Sequence, residues 1–374
     1  MGHERLLSLA QAARSRKLAG VCAALLIALT ANIGGGITPA LALHNSGVFE
    51  LDGDIARQSA TTPPYDWADL FNASGTPINV GAPLLTSAFT ADYALPDTTY
   101  FATASKDIYP LSQWACSSQN KPLPADDLIN GYAAVFQPTL GPDAGHVLLY
   151  LGQERLKPNG ATDAGFWLFS DPAVSCTGGV GNTTFNGTHT VGDLLVVAEF
   201  GGGGVTSINV YEWDGVAPTN IHLVASGVDC TSLSTGTYDG VCGRVNTASI
   251  NAPWPPFNTA ANTLSPGTFF EAGIDLTAIY SPGQVPCVQT FLPETRSSPL
   301  TTADLKDYGI THLGGTAGIC YSPTLNTQLQ PASPVTAGTL VNDTATLSGA
   351  SYAPKGTVTY KVFTDSSCTI PSTS

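Results

Sequence analysis

The sequence predicts an all-β protein whose main domain is a β-sandwich. Its most apolar segments are short, and Gly- or Asn-rich connections separate them, a pattern typical of buried strands of about four to eight residues. The clearest set lies at residues 146–215, with HVLLYL, GFWLFS, LLVVAEF and SINVYEW. Only 11% of residues are charged, against about 25% in an average soluble protein, while Gly (39) and Pro (27) are abundant. This composition favours short strands and turns over helices.

Strand signals continue on both sides of this block. GVFELDGD at 47–54 alternates along the chain and ends in an Asp-Gly turn, which predicts a first strand. Residues 55–98 have no sustained period and are interpreted as long loops with short strands. The other candidate strands lie within 99–105, 123–137, 222–227, 268–276, 288–296 and 303–310. Short strands with turns between them indicate a sandwich or a barrel.

The N-terminus has the three parts of a secretory signal peptide. Basic residues at 14–17 precede an uncharged apolar run at 18–31, and a small-x-small site, Ala-Leu-Ala, follows at 40–42. A membrane anchor is the alternative, but the apolar run is shorter than the ~20 residues that a span needs. The sequence therefore predicts export with cleavage near Ala42 and no membrane span in the mature chain. Its expected location is the extracellular medium or the cell surface.

The charge balance limits the partners. The chain carries 28 acidic and 14 basic residues, which gives a formal net charge of −14 at pH 7. Binding to nucleic acid or to anionic lipid needs a clustered basic face, and the Lys and Arg residues here are few and scattered. Neither class is an expected partner.

Export makes disulfides the default state of the cysteines that follow the leader. No CxxC motif occurs, and no Cys/His pair has the spacing of a zinc site. The clearest pair is Cys230 with Cys242, which closes a short Ser/Thr/Gly loop. Elimination suggests two further pairs and one unpaired residue: Cys287 with Cys320, Cys116 with Cys176, and Cys368 alone.

A change in composition divides the chain near residue 322. Residues 43–321 carry the sandwich strands, and SPTLNTQLQPASP at 322–334 is polar, aperiodic and Pro-containing, as linkers are. Strand signals resume at 335–374, in ATLSGA and TVTYKVFTD. An immunoglobulin-type sandwich needs about 100 residues and about seven strands, and this segment has room for about three. We expect it to be the N-terminal part of an incomplete Ig-like module.

Several segments carry a family resemblance: FELDGD, KDI…W, DD…YAAVF, HVLLYLGQERL…NG…GFWLF, GDLLVVAEF, VYEW, FFEAGIDLTA and ETRSS…LKDY. Over roughly residues 47–315 the chain resembles a family of bacterial exported proteins, mostly uncharacterised, with a jelly-roll, concanavalin-like sandwich. The tail, with TATLSGA…GTVTYKVFTDSSCT, is similar to bacterial Ig-like repeats of surface proteins. The resemblance implies these folds and no catalytic residues. It also implies that Cys368 lacks its partner, because such repeats pair this Cys near their end.

Carboxylates are the candidates for a carbohydrate-active enzyme. A glycosidase needs two of them about 5–9 Å apart across the sugar. Enzymes of the concanavalin-like fold carry such carboxylates at alternate positions of one strand, and Glu212 with Asp214 matches that motif only in part. Glu271 and Asp275 share one face of a predicted strand. The alternative is that these are acidic residues on solvent faces or at strand ends, so no catalytic residue is assigned.

Aromatic and amide side chains are the candidates for glycan binding, because sugars stack on exposed rings and their hydroxyls bond to Asn. Trp114, Trp213 and Trp254 lie near predicted loops or strand ends, and Asn182 and Asn186 lie in a predicted loop. The alternative is that the tryptophans plug the ends of the sandwich.

Two acidic pairs are candidates for calcium, a hard cation that takes six to eight oxygen ligands from loops. They are Asp52 with Asp54, and Asp126 with Asp127. The EF-hand spacing is absent, and turn formers or helix starts are the alternative interpretation. No metal ligand and no other cofactor is assigned.

The expected function is that of a secreted or cell-surface, non-enzymatic binding or adhesion protein. Its expected partners are glycans or other extracellular or host surface molecules. A carbohydrate-active enzyme using Glu212 or Glu271 is the first alternative, and a structural spacer of a surface protein is the second. Because the runs in 146–215 are too continuous to line a polar site, we expect that block to be the buried centre and any site to lie at the rim.

Overall fold

The computed structural model is all-β, as the sequence predicts. It describes residues 43, 48–58, 65–92, 99–102, 104–119, 122–158, 160, 162–179, 181–201, 204–232, 240–254, 263–280, 285–314, 324–332, 334–336, 339–348, 358–363, 367 and 369–370. The predicted leader, residues 1–42, lies outside this set.

Nineteen strands and a few short helical turns make up the described structure. The strands are β1 (Leu84–Ala91), β2 (Tyr100–Ala102), β3 (Ala115–Ser117), β4 (Leu128–Phe136), β5 (Leu148–Arg155), β6 (Asp163–Phe169), β7 (Thr183–Thr184), β8 (Leu194–Gly201), β9 (Gly204–Trp213), β10 (Ile221–Asp229), β11 (Val241–Val245), β12 (Ile250–Asn251), β13 (Thr263–Leu264), β14 (Phe269–Asp275), β15 (Thr290–Arg296), β16 (Leu305–Tyr308), β17 (Thr311–His312), β18 (Thr324–Gln330) and β19 (Asn342–Ser348). The helices are α1 (Trp67–Leu70), α2 (Leu276–Ile279) and two 3-10 turns, Leu111–Gln113 and Cys230–Ser232.

Twelve strands form one large sheet. Their order is β1-β4-β5-β14-β11-β10-β9-β8-β6-β15-β16, and β17 also pairs with β15. Neighbours are antiparallel except β10 and β11, which pair in parallel. The sheet curls so that its two halves share one core, in which Phe166 of β6 stacks on Phe270 of β14 at 5.9 Å. This arrangement is consistent with a β-sandwich.

The block at 146–215 is divided between the two halves of this sheet, since β6, β8 and β9 are neighbours whereas β5 lies in the other half. It supplies β5, β6, β8 and β9, and every residue of β5 and β6 is buried. These two strands are buried on both sides because each outer face of the curled sheet is also covered.

Two covers close the outer faces of the sheet. The N-terminal cover packs on β4, β5 and β14, and its apolar residues are Phe49, Leu51, Ile55, Trp67, Leu70 and Phe71. The second cover packs on β6, β8 and β15, and its apolar residues are Phe101, Leu111, Trp114, Cys116, Val174 and Phe185. The described residues therefore form three apolar layers, one inside the curl and one under each cover.

The predicted first strand at 47–54 is wrong. Within the described part of this segment only Phe49 makes a β-bridge, to Tyr65, and residues 52–56 are bends. The carboxylates of Asp52 and Asp54 each accept the backbone N–H two residues ahead, at 3.0 and 2.9 Å. Such local bonds compete with a β-ladder, which explains why the Asp-Gly-Asp sequence bends instead of extending.

The predicted linker at 322–334 also contains a strand. Its residues 324–330 form β18, which pairs with β19 along its whole length. Most of this hairpin is exposed, so no hydrophobic period marks it in the sequence. An aperiodic polar segment of this kind can still form cross-strand pairs, although it buries little apolar surface.

Two disulfides occupy pairings that the sequence suggests. Cys116 is bonded to Cys176, which ties the second cover together, and Cys230 is bonded to Cys242. Cys287 is also disulfide-bonded. Its expected partner, Cys320, and the tail residue Cys368 lie outside the described residues.

The described residues include no helix with the length and apolar character needed to cross a membrane. Both described α-helices are single turns of four residues.

We predict that the two disulfides differ in their contribution to the free energy of unfolding. Cys116–Cys176 spans 60 residues and Cys230–Cys242 spans 12, and the longer loop restricts the unfolded chain more. Replacing both cysteines by Ala in the first pair is expected to lower the free energy of unfolding by about 1 kcal/mol more than in the second. Urea unfolding of the two double variants measures both losses. A larger loss for the Cys230–Cys242 pair would contradict the prediction.

Candidate functional site

The three tryptophans expected to stack on sugars are buried. Trp114, Trp213 and Trp254 are 0%, 7% and 2% exposed. The Trp114 indole N–H donates to the Lys106 carbonyl at 2.8 Å, and the Trp213 ring stacks on His189 at 3.8 Å between centroids. None of the three presents the free ring face that sugar stacking requires. The structure therefore gives no support to a tryptophan platform, because the loops around these rings turn them inward.

The two asparagines expected to bind glycans are exposed. Asn182 and Asn186 flank the short strand β7 on the surface of the second cover. The Asn186 amide donates to Ser175 Oγ at 3.3 Å. Their role in glycan binding stays a prediction, since the buried tryptophans do not join them at the surface.

The carboxylates expected to act in a carbohydrate-active enzyme are buried and form contacts with other side chains of the protein. Glu271 is fully buried, and Glu212 is nearly so. Glu212 accepts the Tyr280 hydroxyl at 2.7 Å. Asp275 caps α2 through the backbone of Thr277 and lies 2.6 Å from His146 Nδ1.

Buried carboxylates hold indole N–H groups under both covers. Each of three tryptophans donates its indole N–H to a different, buried carboxylate. The pairs are Trp67 with Glu271 at 2.9 Å, Trp254 with Glu154 at 2.7 Å, and Trp167 with Asp107 at 3.0 Å. A hydrogen bond of this kind stabilises a fold by roughly 0.5–3 kcal/mol, the larger values applying when the acceptor is charged, and a buried donor left without its acceptor costs about 1–3 kcal/mol.

Under the second cover, two carboxylates share one guanidinium. Arg296 donates to Glu294 Oε1 at 3.0 Å and to Asp107, and all three side chains are fully buried. One positive charge cannot neutralise two carboxylates, and Oε2 of Glu294 has no hydrogen-bond partner. Burial, reinforced by the charge of Asp107, raises the pKa of Glu294 well above its ordinary value. We infer that Glu294 is the protonated member of this triad.

An acidic cluster lies at the edge of the N-terminal cover. Asp52, Asp54 and Asp66 each bring one carboxylate oxygen to within 4.8 Å of the other two. Asp66 is fully buried, whereas Asp52 and Asp54 are half-buried. We call these three residues the acidic cluster. Asp52 and Asp54 are one of the two aspartate pairs that the sequence predicts as calcium candidates. Asp66 is an additional residue that the sequence does not indicate.

Electrostatics in the acidic cluster disfavours three negative charges. Burial, with the charge of Asp54, raises the pKa of Asp52 to about 6. Burial, with the charge of Glu271, raises the pKa of Asp66 well above its ordinary value. Burial also raises the pKa of Glu271 well above its ordinary value. A bound cation would reverse these shifts, since it favours the ionised carboxylates.

Local backbone geometry builds the acidic cluster. Gly53 adopts a φ of +87°, and its N–H donates to Glu271 Oε1 at 2.7 Å, so the turn between Asp52 and Asp54 is fixed to β14. Asp66 caps α1 by accepting the backbone N–H of Trp67 at 2.6 Å. The Asp-Gly-Asp motif is visible in the sequence, but the contribution of Asp66 depends on the fold.

A cleft of about 640 Å³ opens between the segment before β4, the β5–β6 connection and the β15–β16 turn. Its lining residues are Leu123, Pro124, Ala125, Asp126, Lys157, Gly160, Thr162, Ser297 and Lys306. Asp126 accepts the Thr162 hydroxyl at its base. The second aspartate pair offered for calcium, Asp126 with Asp127, forms no group of three metal-ligating side chains within the described residues.

Comparison with known proteins adds no relative. No protein-family model matches the chain, and no curated protein or solved structure matches it. The functional proposals therefore rest on the residues of this chain.

We predict that the two carboxylates of the Arg296 triad respond differently to neutralisation. Glu294→Gln is expected to change the free energy of unfolding by no more than about 1 kcal/mol near pH 4.5 and to make the protein more stable than the unmodified protein at pH 7, whereas Asp107→Asn, which breaks the buried ion pair, is expected to cost about 3 kcal/mol or more. A raised folded-state pKa means that the stability contributed by Glu294 is complete below its ordinary value of 4.5 and is lost as pH rises through the folded pKa. Glu294→Gln should therefore reduce the fall in the free energy of unfolding between the ordinary pKa of Glu294 and its folded-state pKa.

Urea unfolding of both variants across this pH range tests the assignment. Equal losses for the two variants at pH 7, or an unchanged slope in Glu294→Gln, would show that Glu294 is not the protonated member.

Proposed function

We propose that this chain is an exported, non-enzymatic binding protein of the extracellular medium or the cell surface, and that it binds acidic glycans in the cleft lined by Lys157 and Lys306. Its disulfides are compatible with an oxidising compartment. The large curled sheet is compatible with a jelly-roll sandwich, and the β18–β19 hairpin with the opening of an Ig-like module that projects the binding domain.

The observation that carries the proposal is the placement of two lysines at one cleft of a strongly acidic protein. Lys157 and Lys306 line a space of about 640 Å³, within the range of roughly 300–1,000 Å³ that is typical of ligand sites. An ammonium group is a compact positive charge that suits a carboxylate or sulfate group. Thr162 and Ser297 add hydroxyl groups to the same lining, which suit the hydroxyls of a sugar.

The cleft favours binding over hydrolysis. A glycosidase site needs two carboxylates on opposite sides of the sugar. Among the described lining residues Asp126 is the only carboxylate, and it already accepts the Thr162 hydroxyl. Glu212 and Glu271, the residues on which the enzyme alternative depends, do not line this cleft.

We predict that charge reversal in the cleft weakens the recognition of acidic glycans. The double variant Lys157→Glu/Lys306→Glu is expected to bind uronate-containing oligosaccharides at least about 10-fold more weakly, because each lost charge contact contributes on the order of 1 kcal/mol. Neutral oligosaccharides should bind much more weakly to the unmodified protein. Isothermal titration after a glycan-array screen measures both.

Lys361→Glu provides the matched control, because Lys361 is exposed on the C-terminal segment and does not line the cleft. It should bind like the unmodified protein. A flat array, or equal binding by the double variant and the control, would contradict the proposal and favour the structural-spacer alternative.

A further inference from the structure

We propose that the acidic cluster of Asp52, Asp54 and Asp66 is a calcium site that fastens the N-terminal cover to the sheet. This site is independent of the glycan cleft, so either proposal can fail without the other. Its role would be structural, because it joins two segments of the cover at a point where one of them is hydrogen-bonded to β14.

The spacing of the oxygens suits one calcium ion. Calcium binds oxygen ligands at about 2.4 Å, so two ligands on opposite sides of the ion lie about 4.8 Å apart. The three aspartates each offer an oxygen within 4.8 Å of the other two, and a single ion can therefore contact all three. Asp54 also accepts the N–H of Ala56 and the amide of Gln58, and each carboxylate oxygen has a second lone pair for a cation.

The buried aspartate supplies an independent observation. Asp66 is fully buried, and one of its oxygens, Oδ1, accepts the N–H of Trp67. The other, Oδ2, has no hydrogen-bond partner. An unpaired carboxylate oxygen inside a protein is strongly unfavourable unless a cation, a donor or a proton on the group itself compensates it. A cation between Asp66 and the two half-buried aspartates provides that compensation.

The cationic side chains near the cluster do not provide it. Arg57 pairs with Asp69 of α1 at 3.6 Å. Among the ion pairs of the described residues, none joins a Lys or Arg side chain to Asp52, Asp54 or Asp66. A divalent cation has the charge that the three aspartates need.

The ligand set favours calcium over other metals. All three groups are carboxylates, which suit hard cations and not zinc or copper. Two of the ligands lie in the bend at residues 52–54 and the third at the start of α1, and calcium tolerates the irregular geometry of such loop sites better than magnesium does. Exported proteins also meet calcium at millimolar concentration, which matches the weak affinities of about 10⁻⁴–10⁻³ M of extracellular modules.

Calcium would act on the cover through Gly53. The Asp52–Asp54 turn presents the Gly53 N–H to Glu271 of β14, and the other oxygen of Glu271 accepts the indole of Trp67. An ion held by this turn and by Asp66 therefore fixes both segments of the cover around one buried glutamate. Glu271 is a positioning residue here, because both of its oxygens already accept hydrogen bonds.

The test is a calcium titration of the full chain after chelation. The unmodified protein should gain about 5 °C in Tm at a calcium concentration about 100-fold above the Kd, because an ion that binds only the folded state stabilises it. Terbium, a luminescent substitute for calcium, should be sensitised by the nearby Trp67. Asp54→Asn, at a half-buried position, should fold normally and bind calcium at least about 10-fold more weakly.

Asp66→Asn is the second variant and should also weaken binding at least about 10-fold. Asp343→Asn is the matched control, because Asp343 is exposed in β19, and it should titrate like the unmodified protein. No Tm shift and no terbium signal in the unmodified protein would overturn the proposal. An equal calcium response in Asp54→Asn and Asp343→Asn, or an equal Tm shift with magnesium, would overturn it as well.

Discussion

The fold depends on hydrogen bonds between buried carboxylates and indole N–H groups. Glu271, Glu154 and Asp107 lie in a protein interior that would exclude them if they had no donors, and each receives the indole of a tryptophan in contact with a cover. The apolar rings supply the buried area, and the carboxylates fix where the rings lie. Because the sheet presents apolar residues on both sides, neither outer face could meet water without these covers.

This arrangement explains why the candidate sites lie at the edges of the molecule. Strands β5 and β6 are buried on both faces and offer no exposed polar surface. The tryptophans that the sequence predicts as a glycan platform, Trp114, Trp213 and Trp254, are instead buried between the covers and the sheet. The candidate sites lie where connections meet, at the lysine-lined cleft and at the acidic cluster.

The sequence predicts the local features of this fold well. Apolar runs bounded by turns correspond to β5, β6, β8 and β9, and the short loop between Cys230 and Cys242 carries its disulfide. The same rules fail where a polar side chain overrides the backbone pattern, as at Asp52 and Asp54, whose local bonds bend a segment that alternates like a strand. They also fail where strand pairing is exposed, as in β18.

Most of the site could not be predicted, because its contacts are set by topology. Trp67 and Glu271 are 204 residues apart, and Trp254 and Glu154 are 100 apart. No spacing rule relates such residues, and an isolated Asp or Glu in a strand pattern looks like a solvent-facing residue. Asp66 joins Asp52 and Asp54 only after α1 folds against the sheet.

The most direct test of the carboxylate–indole account is the exchange rate of the indole N–H protons with solvent deuterium, followed by NMR on protein with ¹⁵N-labelled tryptophan. The account predicts that the indole protons of Trp67, Trp167 and Trp254 exchange at least about 1,000-fold more slowly than those of free tryptophan, since each bond opens only when its cover does. Exchange of all three at the rate of an unprotected indole would show that the carboxylates do not hold these rings and would contradict the account.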